Sequence, residues 1–190
     1  EQATDWMFPK KIHDKVKWIP NAIDIDKFIF NEEKRNKLRK EFNITDEEFI
    51  IGNVARIDYQ KNQEFIIDVF SEFAKRKDKT RLFLVGGGDT SSLELQATKL
   101  GIRDKVEFLG MRSDVEDLCS MFDFFIFPSR FEGLGVALLE AQANGVPILA
   151  SDVIPPEVIV NSNYHYLSLS DSPIKWAEKI LELQQEKRID

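Results

Sequence analysis

The sequence predicts a doubly wound, Rossmann-like α/β domain, a parallel sheet covered by helices on both faces, and three observations carry that expectation. From about residue 48 onward, short apolar runs rich in β-branched and aromatic residues alternate with longer segments of helical period. The short runs are apolar at consecutive positions, as strands buried on both faces are. A length of 190 residues, 43% hydrophobic and 31% charged, allows a sizeable core without disulfides or metals, and excludes collagen-like, low-complexity and wholly disordered chains. The 15 Phe against 3 Trp and 3 Tyr suggest a core packed with rings that need no polar partner.

The first 47 residues stand outside the alternation. Trp6, Met7 and Phe8 form a short apolar patch ahead of Lys10, Lys11, Lys15 and Lys17, a basic stretch that reads as solvated surface, with anionic lipid as the other reading. Trp18-Ile19-Pro20-Asn21 reads as a strand ending in a turn. Residues 31–42 read as a highly charged helix capped by Asn31, whose mixed signs suit a solvated face. Strands are then expected at 49–54, 81–85, 106–109, 124–127 and 146–150, with a weaker one at 164–169. Helices are expected at 63–77, 91–100, 113–121, 136–144 and 172–186, with Ser91 and Ser113 as N-caps. In the first of these, Phe65, Ile66, Val69, Phe70 and Phe73 fall on one stripe, a core face. Cys119, Trp176 and Ile180 also read as core. No repeat, low-complexity tract or Gly/Ser linker divides the chain.

Charge and composition narrow the function. The 26 Lys+Arg against 33 Asp+Glu leave a net charge of −7, which would repel a nucleic-acid backbone. One Cys cannot form an internal bridge, and with two His it is too little for an ordinary structural zinc site; a lone thiol also points to a reducing compartment. No apolar run approaches the roughly 20 residues of a membrane-spanning helix. The start, Glu1-Gln2-Ala3-Thr4-Asp5, has neither an initiator Met nor a signal-peptide pattern, so the numbering is expected to begin inside a longer gene product or after processing.

Ligands of doubly wound sheets sit at the carboxyl ends of the strands. The loop after the first expected strand, Ala55-Arg56-Ile57-Asp58-Tyr59-Gln60-Lys61, carries two cations that could converge on one anion, although an ordinary surface loop has the same composition. Gly86-Gly87-Gly88-Asp89 could bring backbone amides close to a ligand, but it lacks the full G-x-G-x-x-G and suits a plain tight turn equally. The most informative loop is Pro128-Ser129-Arg130-Phe131-Glu132-Gly133-Leu134-Gly135, running into Val136-Ala137-Leu138-Leu139-Glu140-Ala141. Two glycines before a helix expose amides suited to a diphosphate, and acids nearby can accept sugar hydroxyls. Glu140 lies about two turns into that helix. There a satisfied or solvent-facing helix residue is the alternative.

At these residues the chain resembles the donor-binding, C-terminal half of GT-B glycosyltransferases, specifically retaining enzymes of family 4 (group 1). Glu132 and Glu140, set in Pro128-Ser129-x2-Glu132-Gly133-Leu134-Gly135-x4-Glu140-Ala141-x3-Gly145-x-Pro147, are similar to that family's acidic signature. Arg56 and Lys61 match its paired cations on the donor diphosphate. Phe108-Leu109-Gly110, followed by Met111-Arg112, is similar to the segment whose backbone reads the nucleobase. Ile19-Pro20-Asn21-Ala22-Ile23-Asp24-x3-Phe28 is similar to the stretch entering the donor domain from the hinge. Ala22, Ala55 and Asn62 stand where many members have Gly, and neither His13 nor His165 sits in a matching context.

The resemblance implies residues 1–18 as the end of an acceptor domain and its hinge, and 19–190 as the nucleotide-sugar-binding domain. It implies transfer of a hexosyl or N-acetylhexosaminyl group from a nucleotide diphosphate sugar, UDP-sugar first, to an acceptor hydroxyl. Arg56, Lys61 and Glu132 would serve catalysis. Together with Met111, Arg112, Gly133, Leu134, Gly135, Val136 and Glu140 they would bind the donor. No cofactor or metal is implied. A glycan or lipid-linked acceptor would be bound by the other half, without which the fragment is expected to be inactive. The style is that of bacterial capsular or exopolysaccharide enzymes, cytoplasmic or peripheral to the inner membrane face. A noncatalytic or dehydrogenase-type nucleotide-binding module is the competing reading, but the loop after the first expected strand contains no glycine.

Overall fold

The computed structural model describes residues 9–17 and 22–189. The expected Trp6-Met7-Phe8 patch, the strand and turn at 18–21 and the boundary between residues 18 and 19 lie outside the described residues. Six strands form one parallel sheet: β1 (Phe49–Val54), β2 (Thr80–Val85), β3 (Val106–Gly110), β4 (Phe124–Phe127), β5 (Ile148–Ser151) and β6 (Tyr164–Leu167). Their order is β3-β2-β1-β4-β5-β6, and every pairing is parallel. The helices are α1 (Ile25–Phe28), α2 (Glu32–Glu41), α3 (Gln63–Ala74), α4 (Ser91–Lys99), α5 (Val115–Met121), α6 (Val136–Ala143) and α7 (Pro173–Leu183).

Consecutive strand residues point to opposite faces, so each apolar run feeds two cores. Ile51, Leu82, Leu84, Phe124 and Ile126 pack with α3, α4 and α7, where Phe70, Phe73, Trp176 and Ile180 are fully buried. Ile50, Phe83, Phe125 and Phe127 pack on the other face with α2, α5 and α6, where Leu38, Cys119 and Leu138 are buried. Gly52 is required within β1 because a β-carbon there would stand 2.1 Å from the Phe122 ring.

Two expectations are corrected. The helix over 32–41 is not simply a solvated charged face: Arg39 is 5% exposed, and Arg35, one turn earlier, reaches inward beside it. Arg35 donates to the carbonyl of Met121 at 2.8 Å, and both guanidiniums meet the Asp123 carboxylate, at 2.5 and 3.3 Å. Burial lowers the Arg39 pKa while Asp123 opposes that shift. The Ser N-caps also fail. Asp89, not Ser91, accepts at the start of α4, from the Ser91 amide and hydroxyl, while Asp114 replaces Ser113 ahead of α5 with its carboxylate held by Arg112. Asn31 does cap α2, accepting from the Lys34 amide at 2.9 Å.

The chain after α7 returns across the sheet's β4 corner. Arg188 donates to the carbonyls of Cys119, Ser120 and Phe122 and to Asn144, and its guanidinium lies 4.6 Å from the Phe30 ring centroid. Burial brings its pKa down to about 10.

Candidate functional site

The strand order reverses between β1 and β4. The chain leaves β1 toward α3 on one face and β4 toward α6 on the other, opening a crevice at the carboxyl ends of these two strands. The loop after β1 continues alongside its neighbour, with the Ala55 amide donating to Val85 and the Ile57 amide to Gly87. A β-carbon on Gly86 would stand 2.0 Å from the Ala55 carbonyl oxygen, and one on Gly88 would stand 2.5 Å from Ile57. The glycine run is thus required by its packing against the loop after β1, which neither reading of it had foreseen. Asp58 then accepts from the Lys61 amide at 3.1 Å and pairs with Arg56 at 3.0 Å. Asn62, with φ of 61° and ψ of 41°, turns the chain into α3 in the left-handed region that Asn tolerates among few residues, which accounts for its standing in for glycine.

The loop after β4 is stapled to this one. The Arg130 amide donates to the Gln60 carbonyl at 2.8 Å, its Nε to Tyr59 at 3.1 Å and its terminal nitrogen to Asn62 Oδ1 at 2.6 Å, with the guanidinium 4.3 Å from the Tyr59 ring centroid. In return, Asn62 Nδ2 donates to Pro128 and Gln60 Nε2 to Phe131. From below, Ser151 Oγ donates to the Ser129 carbonyl at 2.6 Å. These bonds bring Lys61 Nζ and Glu132 Oε1 into a direct ion pair, their side chains 17% and 6% exposed, with the ammonium 5.1 Å from the Phe127 ring centroid. Gly135, at φ 68°, hands the chain into α6, where the Leu138 amide donates to the Gly135 carbonyl at 2.8 Å and the amides ahead of it have no earlier helical carbonyl to meet.

Arg56, Lys61, Glu132, Leu134, Gly135 and Val136 line one cleft of about 450 Å³. Gly133 belongs to the same loop but does not line it. Glu140 does not line it either. It is half-buried about one turn along α6, where burial raises its pKa, Lys27 of α1 opposes that shift and Glu116 of α5 adds to it. Met111, 86% exposed, stands beyond β3 against Gly87, and Arg112 donates from Nε and Nη2 to the two carboxylate oxygens of Asp114 at 2.8 and 2.6 Å. A larger hollow of about 720 Å³ lies at the opposite edge of the sheet, among residues preceding β1, β2 and β3, away from every strand-end loop.

Sequence reasoning missed Asp58, Asn62 and Arg130 as organisers of the site. Asp58 carried a signal, an acid three residues before Lys61 at a turn. Arg130 carried none, because its partners are mostly backbone carbonyls of another loop. Among the described residues no three His, Cys, Asp or Glu side chains gather to hold a metal ion, and no helix is long and apolar enough to cross a membrane.

EpsF of Bacillus subtilis (strain 168), named as a glycosyltransferase, is 34% identical over 169 residues, covering 88% of this chain and 44% of EpsF. The chain thus spans less than half the length of that relative. The crystal structure of Anabaena HepE in complex with UDP and glucose superposes with a TM-score of 0.81 at 23% identity, over 92% of this chain and 48% of HepE. The C-terminal domain of the group 1 glycosyl transferase LpcC from Francisella tularensis superposes with a TM-score of 0.74 at 21% identity, over 85% and 87% of the two chains. The fold is therefore that of GT-B C-terminal domains. The family profile described as glycosyl transferases group 1 matches residues 34–189, and the chain belongs to that family.

Proposed function

We propose that residues 19–190 are the donor-binding domain of a retaining, family 4 glycosyltransferase, with residues 1–18 closing the acceptor half and hinge, and that the donor is a UDP-sugar carrying a hexosyl or N-acetylhexosaminyl group. The observation that carries this reading is the convergence of Arg56, Lys61 and Glu132 on the first turn of α6 at the switch point of the sheet. HepE, whose crystal structure contains UDP and glucose, supports the choice of nucleotide.

The demanding step is departure of a diphosphate from an oxocarbenium-like anomeric carbon. Arg56, Lys61 and the amides of residues 133–136 would stabilise the charge growing on that leaving group, in a site where donors are already in place. Glu132 would accept hydrogen bonds from donor-sugar hydroxyls and Glu140 from the ribose. The backbone at Met111 and Arg112 would meet the base. The acceptor, a glycan or lipid-linked hydroxyl in capsular or exopolysaccharide synthesis, would be supplied by the half that relatives carry beyond this chain, and this chain alone would show no turnover. The enzyme would work in the cytoplasm or at the inner membrane face.

The test is calorimetric titration and thermal shift with UDP-, GDP- and ADP-sugars, and with NADH as the dehydrogenase arm. Wild type is expected to bind a UDP-sugar and not NADH. Lys61→Ala and Glu140→Ala should each weaken that binding by about tenfold or more, the loss of one charge-assisted hydrogen-bonding group. Failure of wild type to bind any sugar nucleotide would overturn the reading.

A further inference from the structure

The Lys61–Glu132 ion pair closes the candidate site on itself. Glu132 is 6% exposed at its side chain, so the Lys61 ammonium replaces most of the water its carboxylate would otherwise hold. Lys61 is in turn confined between that carboxylate and the Phe127 ring. Arg56, by contrast, is 75% exposed and pairs with Asp58. A diphosphate entering the cleft therefore competes with Glu132 for Lys61, and a carboxylate that loses its ammonium while still buried is costly.

What the ligand brings in exchange decides the balance. A diphosphate esterified to a sugar carries hydroxyl donors to the carboxylate as it takes the ammonium away. A free nucleoside diphosphate brings none, and its terminal phosphate carries about one more negative charge, since the second ionisation of a phosphate monoester lies near pH 6. We propose that Glu132 sets the selectivity of the cleft for the sugar-bearing diphosphate over the bare nucleoside diphosphate, working against retention of the product. This inference rests on the functional reading above and deepens it: the acid that holds the donor sugar is also the group that expels what remains after transfer.

The sign of the predicted effect is opposite to that of an ordinary binding residue. Glu132→Gln keeps the shape, frees Lys61 and removes the repulsion, so it should bind a nucleoside diphosphate more tightly than wild type. The experiment titrates UDP, GDP and ADP, and the uncharged nucleoside of whichever binds best, into wild type, Glu132→Gln, Glu132→Ala and Lys61→Ala. Melting curves without ligand establish which variants fold, and either Glu132 variant suffices.

The expected gain for the diphosphate is about tenfold, the worth of one charge-assisted contact released to the ligand. The nucleoside should gain nothing, and Lys61→Ala should lose affinity for the diphosphate. A purely structural role for Glu132 would weaken both ligands together. Equal or weaker diphosphate binding by the Glu132 variants, with wild type binding and Lys61→Ala impaired, overturns this inference alone. No binding by wild type overturns the functional reading and this inference with it.

Discussion

Glu140 shows how the burial of a single side chain can cost stability. Burial raises its pKa in the folded chain, with Lys27 opposing and Glu116 adding. A carboxyl whose pKa is higher folded than unfolded binds its proton more tightly when folded. Its ionisation therefore costs stability, and the cost appears as pH rises from the ordinary carboxyl value near 4.5 through the raised one. Glu140→Gln is thus expected to melt higher than wild type at pH 7, by about 1 °C once solvent screening of this half-exposed group is allowed for. The difference should vanish below pH 4, where both side chains are neutral. Differential scanning calorimetry at the two pH values checks it, and a lower melting temperature at pH 7 would show that the carboxylate is paired more favourably than its burial implies.

At the scale of elements, α2 and the two switch-point loops mark what could and could not be read from the chain. Strands β1 and β4 were legible to the residue because Phe, Ile and Val crowd both faces of a central strand. The charged helix was misread because composition reports how many charges a helix carries but not which side docks. Arg35, Leu38 and Arg39 share the inward side, and only the folded position of Asp123 shows why two arginines belong there. Arg39 also satisfies the carbonyls of Thr45 and Glu48, at 2.6 and 2.8 Å. Arg39→Met should leave those acceptors and part of the Asp123 charge unpartnered, and cost about 3 kcal/mol, read as a drop in the urea midpoint. The acid and cation positions of the loops were legible as a spaced motif. Arg130 was not, since its guanidinium meets one carbonyl, the neutral Asn62 Oδ1 and the Tyr59 ring in a loop about 70 residues earlier, and none of these is an opposite charge to recognise.

The molecule as a whole is wound so that one crevice between β1 and β4 receives loops from both halves of the sheet, an order that periodicity alone did not reveal. The tail bearing Arg188 ties Asn144 to the end of α5 and so braces α6 from behind, the helix whose first turn faces the cleft. Around this frame the chain carries a net charge of −7. Because Lys61 is neutralised by Glu132 and Arg56 by Asp58, the cleft presents little net positive charge to an approaching anion. Long-range encounter is then governed by the negative body. Salt that shortens the Debye length to about 8 Å, near physiological ionic strength, should raise the association rate of a nucleotide sugar measured by stopped flow. A rate that falls with salt would mean that the cleft's cations act at a distance. Ionic strength would thus quicken the arrival of a donor while weakening the charged contacts that hold it, so occupancy should pass through a maximum at intermediate salt.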